Sequence, residues 1–99
     1  MSVTLSELLK SDKPVLIDFY ATWCGPCKTM SPILDAVKKM VGETVTVVKI
    51  DVDKNPLAST EYEVRGVPTL ILFKDGKPVW RQSGVVQKDG IVNIIKQFA

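Results

Sequence analysis

Two cysteines carry the chemistry that this sequence can perform. Cys24 and Cys27 are the only cysteines of the 99-residue chain, which contains no histidine. Residues three apart on a helical turn are neighbours, so this spacing allows the two thiols to close into a disulfide and open again. The absence of histidine excludes Ser-His-Asp triads and Cys-His proteases. Two cysteines without histidine also fall short of a four-ligand zinc site within one chain.

The surroundings of the pair assign a different role to each cysteine. Trp23–Lys28 stands between a predicted strand and a predicted helix. A helix N-terminus supplies partial positive charge and unpaired N–H groups, and both favour a thiolate. We therefore expect a lowered pKa for Cys24 at the tip and a more buried position for Cys27 one turn inside. In this hypothesis Cys24 attacks a substrate disulfide and Cys27 resolves the mixed disulfide.

Three other interpretations of the pair stay open at this point. A disulfide that closes about four residues removes little unfolded-state entropy, roughly 2 kcal/mol, so a structural staple is a weak use of two cysteines. In the second interpretation, two thiolates from each of two subunits form a zinc or iron–sulfur site in a dimer. The third interpretation is a buried pair without function. The flanking Trp23, Gly25 and Pro26, beside a loop, argue against that burial.

Helices and strands are predicted to alternate around the pair. A capping box at Thr4–Glu7 begins a first helix that ends near Lys10. The later predicted elements are strands at 15–20, 44–52, 69–74 and 77–82, a long helix through Pro32 ending at Gly42, a short helix at 57–62 capped by Asn55, and an amphipathic terminal helix. Asp75-Gly76 marks a hairpin. This order predicts an α/β fold with helices on both faces of a central mixed sheet.

Composition limits the function classes. The chain is 45% apolar and 24% charged, as in ordinary globular domains, and its 99 residues predict a single domain spanning 1–99. The net charge is +2 and the basic residues are scattered, so we do not expect nucleic-acid binding. No apolar run approaches the ~18–20 residues of a membrane helix, and no signal peptide is visible. We therefore expect a cytoplasmic protein without a membrane partner.

The residues around the pair resemble the active-site segment of the thioredoxin family. The similarity starts with Phe19–Lys28, which contains Trp-Cys-Gly-Pro-Cys-Lys. It continues through Asp18, Pro32, Lys49–Asp53, Arg65–Thr69, Phe73–Gly76 and Gly84. It covers nearly the whole chain from about Leu5.

The resemblance implies a thioredoxin-like fold, in which four helices flank the central mixed sheet. Only Met1–Val3 precede the first predicted helix, whereas the family usually starts with an additional strand. We therefore expect four strands, with the N-terminal strand short or missing. The strand at 44–52 would then be an exposed edge that invites pairing with another chain.

The function implied by the resemblance is that of a protein-disulfide reductase. Such a protein maintains cell redox homeostasis and donates electrons to reductive enzymes. The Gly25-Pro26 dipeptide favours a reductase, since isomerases and strong oxidants of the family usually carry histidine between the cysteines. The implied protein is a monomer with no bound cofactor or metal. Its redox-active disulfide, Cys24–Cys27, passes electrons from a thioredoxin reductase-type donor to disulfide-containing proteins. The alternatives are a protein-binding module without turnover and a dimeric metal-binding protein.

Several residues outside the pair are expected to support it. Asp18 is an acid within an apolar strand, so burial should raise its pKa. The resemblance implies that Asp18 deprotonates Cys27 through water, with Lys49 beside the acid; the residues alone would make Lys49 a surface lysine.

The resemblance also implies a cis bond before Pro68, although only about 5–6% of X-Pro bonds in folded proteins are cis. The backbone of the residue before it would then pair with an extended substrate. The substrate-binding residues implied are Trp23, Gly25, Pro26, Val67, Pro68, Gly84 and Val85.

Overall fold

The helices and strands follow one another in the predicted order. The computed structural model describes residues 5–98. Its elements are α1 (Leu5–Leu9), β1 (Val15–Tyr20), α2 (Gly25–Val41), a 3₁₀ turn (Gly42–Thr44), β2 (Thr46–Asp51), α3 (Pro56–Glu61), β3 (Thr69–Lys74), β4 (Lys77–Ser83) and α4 (Lys88–Phe98). The predicted cap at Thr4 and the question of an N-terminal strand fall on residues 1–4, outside the described residues.

The four strands of the described chain form one mixed sheet in the order β2-β1-β3-β4. β1 and β2 are parallel, and β3 is antiparallel to both β1 and β4. This confirms the predicted mixed sheet and places β2 and the Pro78-containing β4 at its edges. The register sets Asp18 of β1 directly beside Lys49 of β2. Because parallel strands end at the same edge of a sheet, the dithiol segment after β1 lies near the loop after β2.

Alternate side chains of the strands enter two apolar clusters, one on each face of the sheet. The cluster on the side of α2 and α4 contains Leu16, Met30, Leu34, Val37, Val45, Leu70, Leu72, Ile91, Val92 and Ile95. The opposite cluster contains Leu9, Val15, Ile17, Phe19, Ile71 and Phe73. β1 and β3 are thus buried on both faces, which explains their continuous apolar sequences. Asp18 is the one acid in β1, and it lies on the α2 side of the sheet.

Two local predictions need correction. β2 begins at Thr46, because residues Gly42–Thr44 form the 3₁₀ turn. The Thr44 hydroxyl closes that turn by donating to the carbonyl of Val41 at 2.7 Å. Asn55 precedes α3 but does not cap it with its side chain. Its amide donates instead to the carbonyl of Asp51 at 3.0 Å, within the loop after β2.

The hairpin between β3 and β4 turns where the sequence predicts. Asp75 and Gly76 have φ of 54° and 78°, as the two central residues of a type I′ turn require. On β4, the guanidinium of Arg81 donates to the carbonyls of Tyr62 and Glu63 at 2.9 and 3.2 Å. These bonds attach the edge strand to the segment after α3, which leads into the candidate site.

Candidate active site

The dithiol motif forms the N-terminus of α2. Cys24 is the N-cap residue, and its Sγ accepts a hydrogen bond from the backbone N–H of Cys27 at 3.1 Å. Gly25 and Pro26 are the first two helical residues, where proline costs no helical hydrogen bond. The cysteines are joined as a disulfide with their Cα atoms 5.3 Å apart. The partial positive charge of the helix terminus therefore acts on the Cys24 sulfur, as the sequence predicts.

The burial of the two cysteines differs from the prediction. The exposed fraction is 3% for Cys24 and 5% for Cys27, so both are buried and Cys27 is not the deeper one. They form a small cluster with Ala21, against which Val67 packs. The expectation of an exposed pair was also wrong, because exposed flanking residues surround sulfurs that are themselves covered. The roles predicted for the two cysteines therefore rest on their positions at the helix terminus, since exposure does not distinguish the two side chains.

The turn before β3 brings a backbone carbonyl to the dithiol. The peptide bond between Val67 and Pro68 is cis, in agreement with the resemblance. The Sγ of Cys24 lies 3.6 Å from the carbonyl oxygen of Val67. Fully buried Thr69 holds this turn, because its hydroxyl donates to the carbonyl of Gly66 at 2.6 Å. A buried threonine thus contributes to the site, although it was not among the predicted site residues.

Most of the predicted substrate-binding residues lie at the surface. The exposed ones are Trp23, Gly25, Pro26, Gly84 and Val85. Val67 is half-buried and lines a pocket of about 120 Å³ together with Trp23. Pro68 is buried, so it underlies this surface and does not form it. Its carbonyl accepts a hydrogen bond from the N–H of Gly84 at 2.8 Å, which links the two loops.

A hydrogen bond orients the exposed indole beside the dithiol. The Nε1 of Trp23 donates to Oδ2 of Asp53 at 2.8 Å. Asp53 is itself held by buried Asp51, whose Oδ1 accepts from the Asp53 N–H at 2.9 Å. Trp23 remains 69% exposed, so this bond orients the ring while leaving it accessible at the surface. The two bonded side chains are 30 residues apart, and no sequence pattern connects them.

A cavity of about 340 Å³ joins the predicted proton-transfer residues. Asp18, Cys27 and Lys49 all line it. Asp18 is 2% exposed, and its Oδ1 has no hydrogen-bond partner among residues 5–98. Burial raises the Asp18 pKa from 3.8 to about 6, while the positive charge of Lys49 acts in the opposite direction. The structure thus brings together the acid, the inner cysteine and the lysine from three different elements.

Ser31 is a further member of this cavity. The ammonium of Lys49 donates to its Oγ at 2.7 Å. Ser31 lies four residues after Cys27 on α2, so the two side chains share one face of the helix. Ser31 was not among the predicted site residues, and its spacing of four residues from Cys27 was the available signal.

No described group of three or more cysteine, aspartate or glutamate side chains is arranged to hold a metal ion. Within residues 5–98, no helix has the length and apolar character needed to cross a membrane. The redox-active groups that the site does present are the sulfurs of Cys24 and Cys27.

Comparisons with known proteins agree with the fold and identify its family. The family model described as thioredoxin matches residues 4–97. A thioredoxin-like protein of Synechocystis is 50% identical over 91 residues, covering 92% of this chain and 87% of the relative. The thioredoxin of Rickettsia prowazekii is 41% identical over 92 residues, covering 93% and 88%. Among solved structures, a mutant thioredoxin from Halobacterium salinarum superposes with a TM-score of 0.87 at 38% identity, covering 95% of this chain and 81% of that one.

Proposed function

This chain belongs to the thioredoxin family, whose members are thiol–disulfide oxidoreductases, and we propose that it reduces protein disulfides with Cys24 as the attacking residue. The observation that carries the proposal is the hydrogen bond from the Cys27 N–H to the Cys24 Sγ at the start of α2. Hydrogen bonds to an ionised acceptor are stronger than those to a neutral one, so this geometry favours the Cys24 thiolate.

The proposed reaction moves two electrons in two exchanges. The Cys24 thiolate attacks one sulfur of the substrate disulfide, forming a mixed disulfide and releasing the other substrate sulfur as a thiolate. The Cys27 thiolate then attacks the Cys24 sulfur. This step forms the Cys24–Cys27 disulfide and releases the second substrate thiolate, so the substrate gains the two electrons that the protein loses. The Cα separation of 5.3 Å between the cysteines suits the closing step.

Asp18 is proposed as the base that prepares Cys27 for the second exchange. Its carboxylate lines the same cavity as Cys27, and its Oδ1 has no hydrogen-bond partner in the described part of the chain. With a pKa of about 6, Asp18 is mostly ionised at neutral pH. Its pKa still lies close to the operating pH, as an efficient general base requires. The proton passes from the Cys27 thiol to Asp18 through a water molecule. Lys49 partly offsets the buried negative charge.

Substrates are proposed to bind across the surface around the Cys24 sulfur. An extended segment pairs with the backbone of Val67, in the manner of an added strand. Trp23, Gly25, Pro26, Gly84 and Val85 contact its side chains, while buried Pro68 supports the loop. The hydrogen bond from Trp23 to Asp53 holds the indole ready for this contact.

We also propose the assembly state, electron donor and compartment in which the reaction takes place. Residues 1–99 act as one domain, which the family match across residues 4–97 supports, and we propose that this domain acts as a monomer. The cysteine pair carries both electrons, so the reaction requires no resident cofactor or metal. A thioredoxin reductase-type donor returns the disulfide to the dithiol, and the electrons pass to disulfide-containing proteins and reductive enzymes. We place the reaction in the cytoplasm, where thiols are kept reduced.

Turnover with a protein disulfide tests the proposal. Wild-type protein, with dithiothreitol as the electron source, should accelerate reduction, and Cys24→Ser and Cys27→Ser should each abolish the acceleration. Thr29→Ala, on the exposed side of α2, is the matched control and should retain it. Absence of acceleration by the wild type would reject the reductase and favour a protein-binding module.

A further inference from the structure

We propose that Ser31 is a positioning residue, which holds the ammonium of Lys49 at the Asp18 cavity and thereby sets the charge that Asp18 meets when it takes the proton of Cys27. The catalytic consequence rests on the proposed function. The hydrogen bond from Lys49 to Ser31, called the tether below, is a property of the folded protein and can be measured separately.

The tether is a single short hydrogen bond on an otherwise mobile side chain. Lys49 is exposed, and a free lysine side chain samples many rotamers in water. Its Nζ nevertheless donates to the Oγ of Ser31 at 2.7 Å, across 18 residues of sequence. This bond restricts the ammonium to the mouth of the cavity that both residues line.

Three elements bring the participants together. β1 and β2 are parallel, and their register pairs Asp18 with Lys49, so the two side chains lie on the same face of the sheet. α2 packs on that face and contributes Cys27 and, one turn further along, Ser31. The hydroxyl of Ser31 therefore receives Lys49 on the same helix face that presents Cys27 to the cavity.

Lys49 is the charge whose position matters for Asp18. The titratable groups facing the cavity are Asp18 and Tyr20 from β1, Cys27 and Lys28 from α2, and Lys49 from β2. On β3, the register partner of Asp18 is uncharged Leu70. Burial raises the Asp18 pKa, and the positive charge of Lys49 lowers it. Because Coulomb attraction weakens with distance, releasing Lys49 from Ser31 should raise the Asp18 pKa further.

The direct test is the titration of the Asp18 carboxyl by ¹³C NMR in the disulfide form, where Cys27 cannot titrate. Ser31→Ala should raise the midpoint by about 0.2–0.7 pH unit, the range expected when a partly exposed charge pair is loosened. Lys49→Gln should raise it more, because it removes the charge. Ser31→Thr, which keeps the hydroxyl, should stay at the wild-type midpoint, and so should Thr29→Ala.

A double variant decides whether Ser31 acts through Lys49. In the Lys49→Gln background, Ser31→Ala should cause no further shift of the midpoint. An unchanged midpoint in Ser31→Ala alone would overturn the proposal. An equal shift with and without Lys49 would also overturn it, since Ser31 would then act on Asp18 by another route.

The kinetic readout separates this inference from the proposed function. The rate of mixed-disulfide resolution should rise with pH, and its midpoint should move upward in Ser31→Ala in parallel with the NMR midpoint. If Asp18→Asn leaves this pH dependence unchanged, the proton-transfer role of Asp18 fails. The NMR titration of Asp18 in Ser31→Ala would still test the tether independently.

Discussion

Ionisation of buried Asp18 should make an unfavourable contribution to the unfolding free energy, which grows as the pH rises from acid to neutral. Asp18 is 2% exposed, and burial raises its pKa from 3.8 to about 6. The difference is about two pKa units, and each unit corresponds to about 1.36 kcal/mol between the two protonation states. Ionised Asp18 therefore costs the folded state about 3 kcal/mol of unfolding free energy at neutral pH.

The pH window follows from the direction of this shift. The folded protein holds the Asp18 proton more tightly than the unfolded chain does. The associated stability is fully present below about pH 3.8 and is lost as the pH rises through about 6. Asp18→Asn removes the titration. We expect the variant to be more stable than wild type by about 2 kcal/mol near pH 8, somewhat less than the full cost because the amide is also polar and buried. Near pH 4 the difference between the two proteins should almost disappear.

Urea unfolding of both proteins in the disulfide form, followed by circular dichroism between about pH 4 and 8, measures this difference. Asp35→Asn is the matched control, since it removes the same charge from an exposed position on α2. The reasoning is refuted if Asp18→Asn gains no stability at pH 8. It is refuted as well if the gain is the same at pH 4, because the effect would then not come from the ionised carboxylate.

Two further predictions concern residues outside the cavity. Trp23→Phe removes the hydrogen bond to Asp53 from an exposed site, so it should lower the unfolding free energy by no more than about 1 kcal/mol. It should raise KM for a protein disulfide more than it lowers kcat, which steady-state kinetics will measure. Gly76→Ala places a side chain at φ 78° and should destabilise by about 1 kcal/mol, while Gly90→Ala, inside α4, should stabilise by about 0.5 kcal/mol. Urea unfolding measures whether each substitution raises or lowers the unfolding free energy. Equal effects of the two alanine substitutions would contradict this expectation.

The sequence predicts an element well where burial is uniform along it. β1 and β3 have the predicted bounds, because strands buried on both faces are continuous apolar runs between polar turns. The start of β2 was predicted two residues early, since Thr44 has a β-branched side chain but uses its hydroxyl to close a 3₁₀ turn. Asn55 has the type and spacing of a helix cap, yet its side chain donates through Nδ2 to the Asp51 carbonyl and makes no capping hydrogen bond to α3.

The site was predictable as far as its chemistry lies within one segment. The spacing of Cys24 and Cys27 and the helix that follows them predicted a disulfide-forming pair at a helix N-terminus, and the structure shows that pair there. Both cysteines are buried in a cluster against which Val67 packs from a distant turn, a contact that the local sequence does not reveal. The partners Ser31 and Asp53 act through hydrogen bonds between side chains far apart in the chain, and such pairings follow from the register of strands and helices.

Trapping of the mixed disulfide tests the central claim most directly. Cys27→Ser, incubated in its reduced form with a disulfide-containing protein, should form a stable covalent adduct through Cys24, identified by mass spectrometry of the linked peptides. Cys24→Ser should form such an adduct far more slowly, although it retains the other thiol. Adducts through Cys27 at a comparable rate, or none in either variant, would contradict the assignment of Cys24 as the attacking residue.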